Sequence, residues 1–255
     1  MTAHSPGQLA FLLTAGLISG VVNAVAGGGS LLVFPALLAV GMPPLAANVT
    51  NSVAQWPGYA GIVLGARAEL GGQRARVVST LAVSVTGSGV GCALLLLLPG
   101  TVFNRVVPAL VALASVLLAL APRLRRWIGE PEPGAPDRRA VLLPAIFVAA
   151  VYGGYFGGAL GVILIATLSL CAHDTLVRLN AVKGVLSLVI ATVTVIVFAL
   201  GAPVNWAAAL LIAPGTLLGG FLGARLARVL PETVLRWSVV LLGLAVAVYL
   251  AVEPG

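Results

Sequence analysis

The chain has 255 residues, of which 60% are hydrophobic and only 8% charged, with a mean hydropathy of +1.12. Soluble domains carry about 25% charged residues, so there are too few charges here to cover a water-facing surface, and most of the solvent must be lipid. Fourteen Lys and Arg against seven Asp and Glu give a net charge of +7, but the basic residues fall mainly in short loops. Cytoplasmic bias and anionic headgroups account for them there, and nucleic acid is excluded as a partner.

A helix needs ~20 apolar residues to cross the hydrocarbon core. Apolar blocks run over about 9–40, 44–66, 77–98, 102–121, 140–171, 177–200, 206–229 and 234–252. They predict an all-α polytopic membrane protein of about eight transmembrane helices, in two four-span repeats with glycine-broken or re-entrant segments. No basic residue precedes the first block and no small-residue cleavage site stands out, so residues 9–26 are expected as a retained helix and not a signal peptide.

The first block is too long for one ordinary crossing and carries Gly27, Gly28 and Gly29 at its middle. Glycine inside a helix costs ~1 kcal/mol relative to alanine, so three in a row predict a break, with a shorter helix starting near Ser30. Such a break at membrane depth is tolerated only where protein or a water-filled cavity surrounds it.

The second block opens with Pro43 and Pro44, which suit a first helical turn. It then places Asn48, Asn51 and Gln55 at spacing i, i+3, i+7, on one helix face. The third block carries Gly87 and Gly91, a spacing that lets membrane helices approach closely, and these are read as scaffold packing. The segment "PRLRRWIGEPEPGAPDRR", residues 122–139, holds five arginines and four prolines and reads as a polar linker.

Beyond the linker the pattern recurs. The block 140–171 is again over-long and carries Gly153, Gly154, Gly157, Gly158 and Gly161. At an ungapped offset of 132, Gly29 falls on Gly161, Asn48 on Asn180, Gly87 and Gly91 on Gly219 and Gly223, and Leu98-Pro99 on Leu230-Pro231. The chain thus divides into a first repeat over 1–121, the linker over 122–139 and a second repeat over 140–255.

The second stripe is Asn180, Lys183 and Ser187, with Asp174 as the expected N-cap. Lys183 is the only lysine, about two turns inside its span. A charge there costs roughly 2.5 to 3.5 kcal/mol on insertion scales. Direct pairing with Asp174 would have to bridge nine residues, about 13 Å of helix. A role at a site outweighs snorkelling to the interface.

Glycine backbone, amide side chains and one lysine are hydrogen-bond donors, and a half-helix N-terminus adds free N–H groups and a positive dipole end. Every Asp and Glu lies in a loop or at a block end. Donors without acids describe an anion site. Its candidate substrate-binding residues are Asn23, Gly27, Gly28, Gly29, Ser30, Asn48, Asn51, Gln55, Gly161, Asn180, Lys183 and Ser187. Internal repeats enclosing a midplane site are a common plan of secondary transporters.

In the stretches "GLISGVVNAVAGGGSLLVFPALL", "PPLAANVTNSVAQWPG", "GGALGVILIATLSL", "LNAVKGVLS" and "GAPVNWAAALLIAPGTLLGGFLGARLARVLPETVLRW" the chain resembles the sulfite exporter TauE/SafE family. The resemblance implies a membrane transporter built by duplication, with sulfite, sulfonates or other small anions as substrate. The second half departs from the pattern, with Thr167 opposite Pro35.

The leading reading is a secondary carrier exporting a small anion such as sulfite or an organosulfonate. The alternative is an anion channel or facilitator, and less so a membrane-embedded enzyme. For the enzyme, the sequence offers only His173-Asp174 beside Cys171, which reads as a loop or cap. No P-loop occurs, and Cys92 and Cys171 read as small apolar fillers. No catalytic residue, metal or cofactor is expected. The partners are the small anion, the bilayer and, for oligomerisation, a second copy in a homodimer. With eight crossings, Arg67, Arg74, Arg76 and the linker share one side with the N-terminus, against Arg105, Arg178, Arg225, Arg228 and Arg236. That predicts a multi-pass protein of the inner (plasma) membrane with termini and linker cytoplasmic.

Overall fold

In a computed structural model of the chain, residues 6–128, 137–227 and 232–252 are described. They form ten α-helices, and no strand occurs among them. The first half gives α1 (Pro6–Val25), α2 (Ser30–Ala39), α3 (Pro44–Gly65), α4 (Arg74–Leu97) and α5 (Gly100–Ile128). The second gives α6 (Arg139–Tyr155), α7 (Leu160–Cys171), α8 (Leu176–Gly201), α9 (Trp206–Leu226) and α10 (Glu232–Val252). Helices α8, α9 and α10 each begin 132 residues after α3, α4 and α5.

Both over-long blocks break at their glycines. Gly27 (φ +83°) ends the first helix, and Gly157 (φ +74°) with Ala159 (φ +52°) ends the second. The Thr167 substitution does not remove the second break, because the turn is made by Gly157 and Ala159 upstream of it. Pro44 occupies the first turn of α3 as expected, with Pro43 as N-cap. The N-cap of α8 is Thr175, not Asp174; the Asp174 carboxylate instead accepts the Thr175 N–H at 2.8 Å.

The short helices fold back on the long ones. Leu32, Pro35, Ala36 and Ala39 of α2 share a groove with Ile18, Ala15, Thr14 and Phe11 of α1. In the second half the Arg138 N–H, at the start of α6, donates to the Cys171 carbonyl at the end of α7 at 2.8 Å. Each pair is therefore a hairpin returning to the end it started from.

Among the described residues, six helices are long and apolar enough to cross a membrane: Pro6–Val25, Arg74–Leu97, Gly100–Leu124, Leu176–Gly201, Trp206–Leu226 and Thr233–Val252. The 22-residue α3 has the length but carries the polar stripe, and α6 spans only 17 residues.

Glycines set the helix directions. A methyl on Gly16 would sit 2.7 Å from the Ile212 carbonyl oxygen and one on Gly20 2.4 Å from that of Thr216, so α1 and α9 run parallel. Gly58 against Thr216 and Gly65 against Ala224 make α3 parallel to α9. Gly87 against Phe147 and Gly91 against Val151 make α4 parallel to α6. Gly184 against Ile62, with the Trp56 indole donating to Thr192 at 2.9 Å, makes α8 antiparallel to α3. The fourth helix of each half thus packs on the first helix of the other, and helices matched by the 132-residue offset run in opposite directions.

This corrects the expected topology. Because α1 and α2 return to one end, the three helices α3, α4 and α5 carry the chain to the other. The start of α1 and the end of α5, which leads into the linker, therefore lie at opposite ends. Counting the first block as a net crossing had put them together.

Candidate functional site

The first break is stitched by side chains. The Gly29 N–H donates to Asn23 Oδ1 at 2.7 Å, and its carbonyl accepts from the Ser19 hydroxyl at 2.8 Å. Asn23 Nδ2 donates to Gln55 Oε1 at 3.0 Å, while Gln55 Nε2 donates to Ser19 Oγ at 2.6 Å and Asn51 Oδ1 at 3.3 Å. These buried amides take over the backbone groups that the lost helical turn leaves without partners. The Tyr59 hydroxyl lies within hydrogen-bonding reach of Ser30 and Asn23.

The two breaks touch. A methyl on Gly27 would sit 2.8 Å from the Gly161 carbonyl carbon, and one on Gly161 2.7 Å from Gly27 Cα. Gly28 faces elsewhere, against the Leu118 side chain of α5.

The stripes reach across the halves. Asn48 Nδ2 donates to the Tyr155 carbonyl at the end of α6 at 3.1 Å. Its counterpart Asn180 donates to the Ala24 carbonyl at the end of α1 at 3.3 Å. Lys183 Nζ donates to the Asn23 carbonyl at 3.2 Å and to that of Ala24 at 3.5 Å. A helix C-terminus carries a partial negative charge and orphan carbonyls, and the ammonium answers both. The structure thus places Lys183 on the last turn of α1.

Between the two breaks lies a cavity of about 20 Å³. Ser30, Ser52, Gln55, Tyr59, Ser187 and Thr194 line it with polar groups, and Gly153, Phe156, Gly157, Leu160, Ile190 and Ala191 complete the wall. Such a volume holds about one water, so a larger occupant needs the walls to part. Ser187 Oγ and Asn48 Oδ1 are buried with no hydrogen-bond partner among the described residues. Of the expected residues, the cavity brings together Ser30, Gln55 and Ser187. It adds Ser52, Tyr59 and Thr194, whose spacing of three and four from Gln55 and seven from Ser187 on the same helices was the available signal.

A larger vestibule of about 440 Å³ opens at the linker's end. Gly65 at the end of α3, Ala66 and Glu69 after it, Leu176, Val177 and Asn180 of α8, and Ala224, Arg225 and Ala227 around the end of α9 line it, with Val25 and Ile165 at its base. The Arg225 guanidinium sits 4.4 Å from the Phe221 ring centroid.

Beside it an ion network ties three segments. Arg76 pairs bidentately with Asp137 at 2.7 and 2.8 Å and reaches Asp174 at 3.3 Å, while Gln73 donates to Asp174 at 2.6 Å. The Arg76 guanidinium holds the Asp137 carboxyl below the usual range. Asp174 is thereby a structural loop residue. His173 contributes its backbone N–H to Asp137 at 3.4 Å.

The family described as "Sulfite exporter TauE/SafE" matches residues 12–250. The chain is 30% identical over 233 residues to the "Probable membrane transporter protein YfcA" of Escherichia coli strain K12, covering 87% of this chain and 81% of that one. It is 26% identical to the "Probable membrane transporter protein ORF9" of a Sinorhizobium species, over 96% of this chain and 93% of that one. To a "Probable membrane transporter protein" of Haemophilus influenzae it is 26% identical, over 97% and 96%.

Proposed function

The chain belongs to the sulfite exporter TauE/SafE family, and from that premise we propose that it exports a small anion such as sulfite or an organosulfonate as a secondary carrier. It is a multi-pass membrane transporter and not an enzyme. The observation that carries the substrate class is the cavity between the two breaks. Its polar side chains, Ser30, Ser52, Gln55, Tyr59, Ser187 and Thr194, all carry donor groups; those of Ser52, Gln55 and Thr194 are engaged within the protein, and Ser187 Oγ has no hydrogen-bond partner among the described residues. No carboxylate lines it, and Glu69, Asp137, Asp174 and Glu232 sit in segments at the linker's end.

Duplication is supported by the equal offset of three helix starts and by the exchange of first and fourth helices between halves. Matched helices running oppositely describe an inverted repeat, an arrangement in which rocking of one half against the other exposes a fixed site alternately. On this reading α3 also crosses, despite its stripe, and the α1–α2 and α6–α7 hairpins enclose the site from opposite ends.

The orientation follows from arginine. Among the described residues, Arg67, Arg74, Arg76, Arg123, Arg125, Arg126, Arg138, Arg139, Arg178, Arg225 and Arg236 lie in segments at the linker's end, and Arg105 at the other. The positive-inside rule puts the linker's end, with the vestibule, in the cytoplasm of a plasma-membrane protein.

A channel is the second reading. A cavity of about 20 Å³, room for about one water, favours the carrier. The test is sulfite efflux from proteoliposomes, with an organosulfonate as competitor. Saturable efflux that the competitor inhibits supports the carrier, and flux rising linearly with concentration supports the channel. No flux of either anion defeats the proposal.

A further inference from the structure

Three helices, α3, α7 and α8, line both the vestibule and the cavity, and the end of α1 and the start of α2 line one each, in the same order from the linker's end inward. On α8, Leu176, Val177 and Asn180 face the vestibule, and Ser187, Ile190 and Thr194 face the cavity. Gly65 of α3 precedes Tyr59 and Gln55, Ile165 of α7 precedes Leu160, and Val25 at the end of α1 precedes Ser30 of α2. The two spaces are therefore successive stations of one route. Lys183 stands between them on α8, three residues past Asn180 and four before Ser187, on the same helix face.

At that level the route is shut by bonds. Asn180 and Lys183 close on the Asn23 and Ala24 carbonyls of α1. The same Asn23 holds Gln55 and the Gly29 N–H on the cavity side. One residue thus joins the closure to the cavity wall.

We propose that Lys183 and Asn180, clamped on the C-terminal carbonyls of α1, form the gate between vestibule and cavity, and that the anion itself opens it. This rests on the reading of the cavity as an anion site. The Asn23 and Ala24 oxygens that the ammonium holds are neutral carbonyls. The ammonium's bonds to them are already charge-assisted on the donor side, and an anionic oxygen adds the Coulomb attraction of a second full charge. An anion arriving at Asn180 therefore draws Nζ away from α1 and frees α1 from α8. Asn23, released on its carbonyl side, lets Gln55 and Gly29 shift and the cavity widen. Lys183 is a gating residue that meets the anion in transit, distinct from the donors that hold it.

The test reads the gate without transport. In a Cys92→Ala/Cys171→Ala background, Ser187→Cys reports the cavity and Val177→Cys the vestibule. Inverted membrane vesicles, which expose the linker's end, are treated with the impermeant reagent 2-sulfonatoethyl methanethiosulfonate. Val177→Cys reacts readily throughout, which also reports the fold. Ser187→Cys reacts slowly with Lys183 present, at least tenfold faster with Lys183→Met or Asn180→Leu, and slowly again with Lys183→Arg. Equal Ser187→Cys rates with and without the Lys183 ammonium, while Val177→Cys stays reactive, overturn the gate. Added isethionate accelerates Ser187→Cys only when Lys183 is present. Lack of that acceleration, beside a clear Lys183→Met effect, overturns opening by the anion and leaves the clamp. Failure of sulfite flux in proteoliposomes bears on the substrate and not on these rates.

Discussion

Lys183 Nζ lies 3.2 Å from the carbonyl oxygen of Asn23, a residue 160 positions earlier in the chain. The intramembrane charge is thus held by the negative end of a broken helix from the other half. The arrangement resolves the cost of burying it: the carbonyls that lose their helical partners at the glycine break regain one in the ammonium.

The first prediction weighs that exchange. On insertion scales, removing the charge relieves roughly 2.5 to 3.5 kcal/mol. Against this stand the Asn23 carbonyl left short of a donor, at about 1 to 3 kcal/mol, since that of Ala24 keeps Asn180, and a dipole interaction worth up to ~2 kcal/mol. The losses come out slightly ahead, so Lys183→Met should cost about 1 kcal/mol and lower the melting temperature in detergent by roughly 2 to 4 °C. Lys183→Arg should lose less, since it keeps charge and donors. An unchanged or raised melting temperature for Lys183→Met would show that water satisfies the α1 carbonyls.

The second concerns glycines of one type in two surroundings. Gly161→Ala would drive a methyl to 2.7 Å from the Gly27 backbone, with no flexible side chain to yield. Gly89, in the middle of α4, meets nothing within 4 Å. Gly161→Ala should therefore abolish folded, monodisperse protein or cost more than ~3 kcal/mol, while Gly89→Ala should be neutral or stabilise by up to ~1 kcal/mol. Size-exclusion profiles and melts of the two variants decide it. A well-folded Gly161→Ala would mean that the breaks can separate.

The third is a pH dependence. Asp137 is held below its ordinary range by Arg76, with side chains 14% and 11% exposed. A carboxyl whose folded value is depressed stabilises fully above its unfolded value, near 4, and loses that contribution as pH falls through the folded value. Melting temperature should therefore fall with acidification below about pH 4. Asp137→Asn should remove that part of the fall and cost roughly 1.5 to 3 kcal/mol at neutral pH. Parallel acid profiles for both proteins would assign the lability elsewhere.

Much of this site was legible in the sequence because its devices break local rules. Three glycines at Gly27–Gly29 and the amides Asn48, Asn51 and Gln55 in an apolar helix have no reason but a cavity or a partner. The direction of the chain was not legible. Ten residues from Ser30 to Ala39 read equally as an extension across the membrane or a return, and only packing against α1 decides between them. Nor could composition tell that Lys183 faces the carbonyls of α1, since orphan carbonyls belong to backbone geometry and not to side-chain type. Ser19 and Thr194 escaped because a single Ser or Thr hydroxyl in a membrane helix usually bonds its own backbone, as Thr192 does with Leu188 at 2.8 Å, and Tyr59 because a lone tyrosine in an apolar helix reads as packing.

The fourth prediction tests the hairpins. In a background lacking Cys92 and Cys171, cysteine is placed at Met42, between α2 and α3, or at Gly71, between α3 and α4. The two loops lie at opposite ends of α3. An impermeant maleimide on intact cells should modify Met42→Cys and spare Gly71→Cys until the membrane is opened. Modification of Gly71→Cys alone would reverse the orientation. Modification of both to the same extent in sealed cells would mean that α3 does not cross.

The last prediction concerns what drives export. Intramembrane carboxylates form many proton relays, yet the cavity is lined by none. Export need not use one. An anion leaving a cell that is negative inside gains about 2.3 kcal/mol per charge per 100 mV. At 1.4 kcal/mol per tenfold ratio, even a monovalent anion is then held at a gradient of more than an order of magnitude. The potential alone can thus clear a toxic anion from the cytoplasm. In proteoliposomes at fixed pH, with the potential set by potassium and valinomycin, sulfite efflux should accelerate as the interior is made more negative. A Ser187→Asp variant, which adds a carboxylate to the donor wall, should lose most of that flux by repelling the anion. Efflux indifferent to potential and strictly dependent on a pH gradient would mean that the proton travels on the substrate or on Lys183, and potential-driven export would be abandoned.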